Sequence, residues 1–207
     1  MRNKLSVVII SKNEEEFIAD AVKSALFADE VLVLDSGSID ATCEIAQNLG
    51  AKVLHQDWLG FGAQKNKAVE LAKNDWVFVL DSDERITNGL QLEILNTLKN
   101  PTAEGYHTAR LNNFFGKNIR HCGLYPDYSI RLFSKSKSKF NEVSVHESVQ
   151  VKGTTAKLKN HMIHLAFDTV SEFTDKQKKY AELSQKNKNL FKAFISPIWT
   201  FFKIYII

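Results

Sequence analysis

Val77-Phe78-Val79-Leu80 runs without a break into Asp81-Ser82-Asp83-Glu84, and this junction limits the folds open to the chain more than any other stretch. Four apolar residues in a row read as a strand buried on both faces, which belongs in a parallel sheet covered by helices. Open sheets of that kind hold their ligands at the carboxyl ends of the strands. The acids stand at that end. Two carboxylates so close repel each other, and a cation between them removes the cost. A divalent cation carrying a diphosphate satisfies both Asp81 and Asp83, and oxygen ligands of this kind suit Mg²⁺ or Mn²⁺. A solvated acidic turn is the plainer alternative, so the rest of the chain has to decide.

The elements before this junction repeat its logic. Leu5–Ile10, Glu30–Leu34 and Lys52–Leu54 read as strands. Between Glu14 and Leu26 the apolar residues Phe17, Ile18, Ala21, Val22, Ala25 and Leu26 fall at helical spacing. Ala41 to Leu49 is a second expected helix, with Ser38 or Asp40 as its N-cap and Gly50 as its stop. Gly62 to Lys73 and Asn88 to Leu98 are the third and fourth. Strand and helix therefore alternate through residue 100, which predicts a parallel sheet with helices on both faces. After Pro101 the pattern changes. Gly105–Phe115 and Tyr128–Phe133 read as strands without helices between them, and Thr169 to Phe191 reads as a long helix.

The strand ends share a chemistry. The first runs into Ser11-Lys12-Asn13-Glu14, the second into Asp35-Ser36-Gly37-Ser38-Ile39-Asp40-Ala41-Thr42, the fourth into Asp81-Ser82-Asp83. Asp35 is placed to accept hydrogen bonds from a ribose or base, and Gly37 permits a tight turn beside a helix N-terminus that faces an anion. Each end alone reads equally well as a turn or cap; three on one sheet point to a nucleotide. Neither GxGxxG nor GxxxxGK[ST] occurs, which argues against dinucleotide-binding and P-loop chemistry.

Composition excludes other classes. A chain of 207 residues suits one domain with a small appendage. A net charge of +3 is too weak to argue for nucleic acid. Cys43 and Cys122 form no metal spacing and fit a reducing compartment. The N-terminal apolar run is too short for a secretory signal, and no run of about 18 apolar residues exists to span a bilayer. The positive charge is uneven, with six lysines from Lys135 to Lys159 against Glu142 and Glu147, and six more from Lys176 to Lys192 against Glu182. The second cluster runs into FKAFISPIWTFFKIYII, from Phe191 to Ile207. A basic, aromatic segment of this kind fits an anionic membrane surface; a solvated helix face and a final core helix broken at Pro197 are the alternatives.

In this order, LSVVIISKNEEEFI, VLVLDSGSIDAT, FGAQKNKA and VFVLDSDE resemble the successive motifs of inverting family 2 glycosyltransferases with the GT-A fold. RHCGLYPDYSIRLF and VHESV narrow the likeness to bacterial glucosyltransferases that add β-1,4-linked glucose to the inner-core heptose of lipopolysaccharide. The resemblance covers nearly the whole chain. It implies a catalytic domain over 1–168, with a nucleotide-sugar half at 1–100 and an acceptor half at 101–168, followed by a membrane-proximal segment at 169–207. It implies a UDP-sugar donor, a divalent metal, a lipid-linked saccharide acceptor, and a peripheral location on the inner face of the cytoplasmic membrane. Carried over residue by residue, Ser11, Asn13 and Glu14 hold the nucleoside, Asp35 meets uracil or ribose, and Lys65 and Asn66 contact the donor. Asp81, Ser82 and Asp83 form the metal-diphosphate motif. Tyr125-Pro126-Asp127 takes the place of the x-E-D motif, with proline where glutamate is usual and Asp127 as the base. Arg131 approaches phosphate or pairs with Asp127. His146 and His164 both qualify as a further metal ligand, and Glu147 is the next candidate base on the acceptor side.

Two other functions remain in view. A sugar nucleotidyltransferase needs a glycine-rich loop after the first strand to cradle a triphosphate, and Ser11-Lys12-Asn13-Glu14 has no glycine. A shortened form ending at Ile207 would bind donor and transfer poorly; sugar transfer by the purified protein separates it from a working catalyst.

Overall fold

The computed structural model describes residues 1–121, 123–141 and 147–167, together with 169 and 174. β1 (Leu5–Ser11) is buried at every position. Leu5, Val7 and Ile9 join one apolar cluster, and Val8 and Ile10 join another. That alternation arises when both faces of a strand are covered. β2 (Glu30–Asp35), β3 (Lys52–His55) and β4 (Trp76–Asp81) complete the parallel half. β1 lies between β2 and β4, with Ser11 opposite Asp35 and Ile10 opposite Asp81. This register brings the polar ends of three strands level at one edge of the sheet.

Helices cover both faces, as the alternation predicts. α1 (Ile18–Ala25) and α4 (Asn88–Thr97) bury Ile18, Ala21, Val22, Leu90 and Ile94 on the Leu5 side, with Ala46 from α2 (Thr42–Asn48). α3 (Phe61–Leu71) buries Ala68 and Val69 on the other. α1 starts at Ile18, later than the periodicity predicts. Glu14 donates its N–H to Thr42 Oγ1 and Glu15 donates its own to Asp40, so these residues belong to a turn tied to the β2–α2 loop. Ser38 and Asp40 do not occupy the N-cap of α2, which falls on Ala41. Asp40 instead accepts the N–H of Thr42, the first helical residue. Gly50, at φ 90°, ends the helix as expected, its N–H donating to Gln47 O.

The second half adds strands that periodicity only partly predicts. β5 (Glu84–Ile86), β6 (Gly105–Phe114), β7 (Lys117–Asn118), β8 (Asp127–Ser134) and β11 (Thr155–Phe167) join the main sheet. Among the described residues this sheet has nine strands, in the order β3-β2-β1-β4-β8-β6-β11-β5, with β7 on β6. β9 (Ser138–Phe140) and β10 (Val149–Val151) form a separate antiparallel ladder. The strands expected at Gly105–Phe115 and Tyr128–Phe133 are β6 and β8; β5, β7, β9, β10 and β11 are additions.

The chain divides into two units, one of residues 1–110 and 127–164, the other of 111–126 and the chain from 165 onward. In the second, Ile119 donates its N–H to Asn112 O, and the Arg120 guanidinium lies 5.3 Å from the centre of the Tyr125 ring. Cys122, His146, nearly all of the helix expected from Thr169 and the aromatic segment to Ile207 lie outside the described residues. Among the described residues, no helix is long and apolar enough to cross a membrane.

Candidate active site

The edge where β1, β2 and β4 end is held together by side-chain hydrogen bonds before any ligand is considered. Asp35 Oδ1 accepts the N–H groups of Gly37 (2.9 Å) and Ser38 (2.8 Å), and Oδ2 accepts the hydroxyls of Ser11 and Ser38. Burial alone would raise this carboxyl, but the hydrogen bonds from Ser38, Ser11 and Gly37 outweigh it and hold the group below the usual aspartate value. Gly37 supplies the φ of 84° that the turn requires. Asn13 also sits at positive φ, 55°, a conformation asparagine tolerates better than most residues. Its N–H donates to Ser38 Oγ and its side-chain carbonyl accepts the N–H of Ile39, lacing the β1 end to the β2 turn. Ser11, Asn13, Glu14 and Asp35 therefore converge as the sequence predicts.

Beside them lies a buried cluster of opposite charges. Lys65 on α3 sits 2.9 Å from Asp81 Oδ1 and donates to Glu147 Oε1 at 2.8 Å. Burial lowers the ammonium's affinity for its proton, yet Asp81, and then Glu147, lift it above the ordinary lysine value against the opposing charge of Arg131. Arg131 on β8 donates to Asp81 Oδ2 through both terminal nitrogens (3.2 and 3.3 Å) and to Glu84 Oε1 at 2.6 Å. Asp81 is thus flanked by a cation on each oxygen. Lys65 and Arg131 hold it ionised well below the usual carboxylate range despite its burial. Glu84 is fully buried, and burial pushes its carboxyl up; Arg131 opposes that, while Asp81 and Asp83 add to it. Its Oε2 accepts the Asp81 N–H at 3.0 Å. Removing one member of such a buried set leaves an uncompensated charge, a loss of about 3–5 kcal/mol.

Arg131 faces Asp81 and Glu84, so of its two expected roles, approach to phosphate or pairing with Asp127, the second is corrected. The partner of Asp127 is Arg110 on β6, whose Nε and Nη2 both donate to Oδ2, at 2.9 and 2.5 Å. Asn66 spends both ends of its amide on the backbone of Phe140, donating to the carbonyl and accepting from the N–H. It braces β9. Ser82 is buried in the turn between the two aspartates, its carbonyl accepting from Arg85.

Strand pairing also places His164 at this edge. β11 runs antiparallel to β5 with His164 opposite Glu84, and this carries His164 Nε2 to 3.2 Å from Asp83 Oδ2. Among the described residues, no three His, Cys, Asp or Glu side chains converge to cage an ion. One carboxylate and one imidazole suffice where substrate phosphates and water complete a Mg²⁺-type shell, so Asp83 and His164 fit a donor-bridging cation. Asp81, with both oxygens facing cations, fits it less directly. Glu84 and Arg110 are the site residues that sequence reasoning missed. A signal existed for the first, an acid directly before the strand residues Arg85 and Ile86, but none for Arg110.

The family 2 model of glycosyl transferases matches residues 6–149. The chain belongs to that family. This family 2 glycosyltransferase is 30% identical to an uncharacterized glycosyltransferase of Rickettsia conorii, a match covering all of this chain and 80% of the relative. It is 26% identical to the lipopolysaccharide core biosynthesis glycosyltransferase LpsC of Rhizobium meliloti, over 97% of this chain and 80% of that one. Its fold is similar to that of S. aureus TarS 1–349 in a crystal structure with UDP-GlcNAc, with a TM-score of 0.57 at 18% identity. That likeness covers 80% of this chain and 59% of TarS 1–349. It shows the GT-A fold: a mostly parallel first half, helices on both faces, and a mixed second half.

Proposed function

We propose that this glycosyltransferase moves a hexose, glucose in our reading, from a UDP-sugar to a lipid-linked saccharide, the inner-core heptose of lipopolysaccharide, with inversion at the anomeric carbon. The observation that carries the reading is the 3.2 Å approach of His164 to Asp83 at the strand edge where Asp35 and Asp81 also end. A carboxylate and an imidazole there suit a cation that carries a diphosphate donor. The name of the LpsC relative supports the acceptor class, and the UDP-GlcNAc bound by TarS supports the donor class.

The roles divide by charge. Ser11, Asn13, Glu14 and Asp35 form the nucleoside end. Asp83 and His164 would hold a divalent cation, Mg²⁺ or Mn²⁺, which supplies the positive charge that a leaving β-phosphate needs. Lys65 and Arg131 keep Asp81 ionised at the same edge. Asp127 accepts the proton of the acceptor hydroxyl as its oxygen attacks from the face opposite the leaving group, and one displacement turns α into β. Glu147 pairs with Lys65, and Asp127, which stands in the place of the x-E-D motif, is the proton acceptor in our reading. A lipid-linked acceptor calls for a peripheral position on the inner face of the cytoplasmic membrane.

Thermal unfolding tests the donor and metal together. UDP-glucose with Mn²⁺ should raise the melting temperature, by an amount equivalent to about 2.7 kcal/mol at a hundredfold excess over Kd, and UDP-glucose with EDTA should not. Asp83→Ala should melt normally alone and lose the Mn²⁺-dependent rise. An unchanged Mn²⁺ response in that variant would remove the metal assignment.

A further inference from the structure

β6 and β8 pair with Arg110 directly opposite Asp127. Cross-strand partners of opposite charge attract, but this pair is more specific than that. Arg110 Nε and Nη2 both donate to the same carboxylate oxygen, Oδ2. Among the described residues, no hydrogen bond falls on Oδ1. Behind Arg110 stands Glu84, fully buried, with Oε1 3.9 Å from Arg110 Nη1 and 2.6 Å from Arg131 Nη2. Arg131 closes on Asp81. The charges alternate without a gap, Asp127, Arg110, Glu84, Arg131, Asp81, from the acceptor side to the donor side.

We infer that Arg110 is a positioning residue for transfer, clamping one oxygen of Asp127 so that the other is presented to the acceptor hydroxyl. The inference rests on Asp127 being the base. Guanidinium suits the task because it is planar, cannot lose its proton and makes two bonds in a fixed fork. The Asp127 side chain is 41% exposed, so packing alone does not fix its rotamer. A carboxylate that must take a proton within hydrogen-bond reach loses rate when it turns away, even if its charge is intact. Stability is not a sufficient explanation for the pair, since ion pairs this exposed add little to it. Glu84 holds the clamp in turn: its Oε1 faces Arg131 and Arg110, and its second oxygen is tied to the Asp81 backbone. The two halves of the reaction are thereby set on one rigid row.

The test is a double-mutant cycle on full-length protein, reading UDP release from UDP-glucose and Mn²⁺ with heptose-terminated lipopolysaccharide as acceptor. Arg110→Gln should lower kcat by about 10-fold or more while KM for UDP-glucose and binding of UDP stay within about twofold. Asp127→Asn should lower kcat by ~10²-fold or more. In the double variant kcat should be no lower than in Asp127→Asn alone, because Arg110 acts through Asp127. Arg110→Lys, which keeps the charge and one bond, should recover part of the rate, and it carries the test if Arg110→Gln does not fold. Near-normal turnover of Arg110→Gln beside a crippled Asp127→Asn, or losses that multiply in the double variant, overturns the clamp and leaves the base assignment standing. Near-normal turnover of Asp127→Asn overturns the base assignment and the clamp with it.

Discussion

Asp35 carries more local order than any other carboxylate of the strand edge. Each of its oxygens accepts two hydrogen bonds, and together they fix the turn that follows β2 and the end of β1. Its folded-state pKa lies below the unfolded value of 3.8. The sign follows: this stabilisation is complete above the unfolded value and is lost as pH falls below it through the folded value. Asp35→Asn should therefore unfold about 1–3 kcal/mol more easily in urea at pH 7, and the gap to wild type should shrink as pH falls below the unfolded value of 3.8. A gap of constant size would mean that shape, not charge, is what the turn needs. Residues of this kind were legible in the sequence because a turn is local: Asp35, Gly37 and Ser38 are neighbours. Arg110 was not, since it finds its partner through another strand.

At the scale of elements, β11 decides the site. Its inward positions are Leu158, Asn160, Met162, His164 and Ala166, a period-2 set in which two members are polar. Those two break the apolar alternation and hide the strand from a periodicity reading, and each has a partner elsewhere. Asn160 donates its side-chain and backbone N–H to Glu93 on α4, which also accepts the N–H of Lys159. His164 meets Asp83. Burial alone would raise the Glu93 carboxyl, but the donors from Lys159 and Asn160 hold it below the usual value. Glu93→Ala should cost about 1–3 kcal/mol in chemical denaturation, from loss of the staple between α4 and β11. It should also raise the Mn²⁺ concentration needed for half-maximal stabilisation by UDP-glucose, because β11 delivers His164. An unaltered Mn²⁺ requirement would show that strand pairing alone keeps β11 in register. The parallel half was readable for the opposite reason: buried strands and amphipathic helices repeat their pattern without interruption.

For the whole molecule, the remaining expectation concerns membrane attachment, and it rests on sequence alone. The lysines from Lys176 to Lys192 precede Phe194, Ile198, Trp199, Phe201 and Phe202. Each lysine near an anionic surface contributes roughly 1 kcal/mol, so a few suffice for reversible binding while the aromatics enter the interface. Full-length protein should float with anionic vesicles at low salt, and protein ending near Leu190 should not; equal behaviour of the two forms removes the membrane claim. The sequence by itself determined the α/β alternation, the strand edge and the acids that stand on it. Apolar runs, helical spacing and turn residues act over a few positions, and their order along the chain carries the family likeness. Only the tertiary structure decided which charges meet. With 27 lysines and arginines and 24 acids, the chain offers far more pairings than composition can rank. Strand register selects among them, setting Arg110 on Asp127, His164 on Asp83 and Arg131 between Asp81 and Glu84, and for the buried Arg131 and Glu84 an unpaired alternative is too costly.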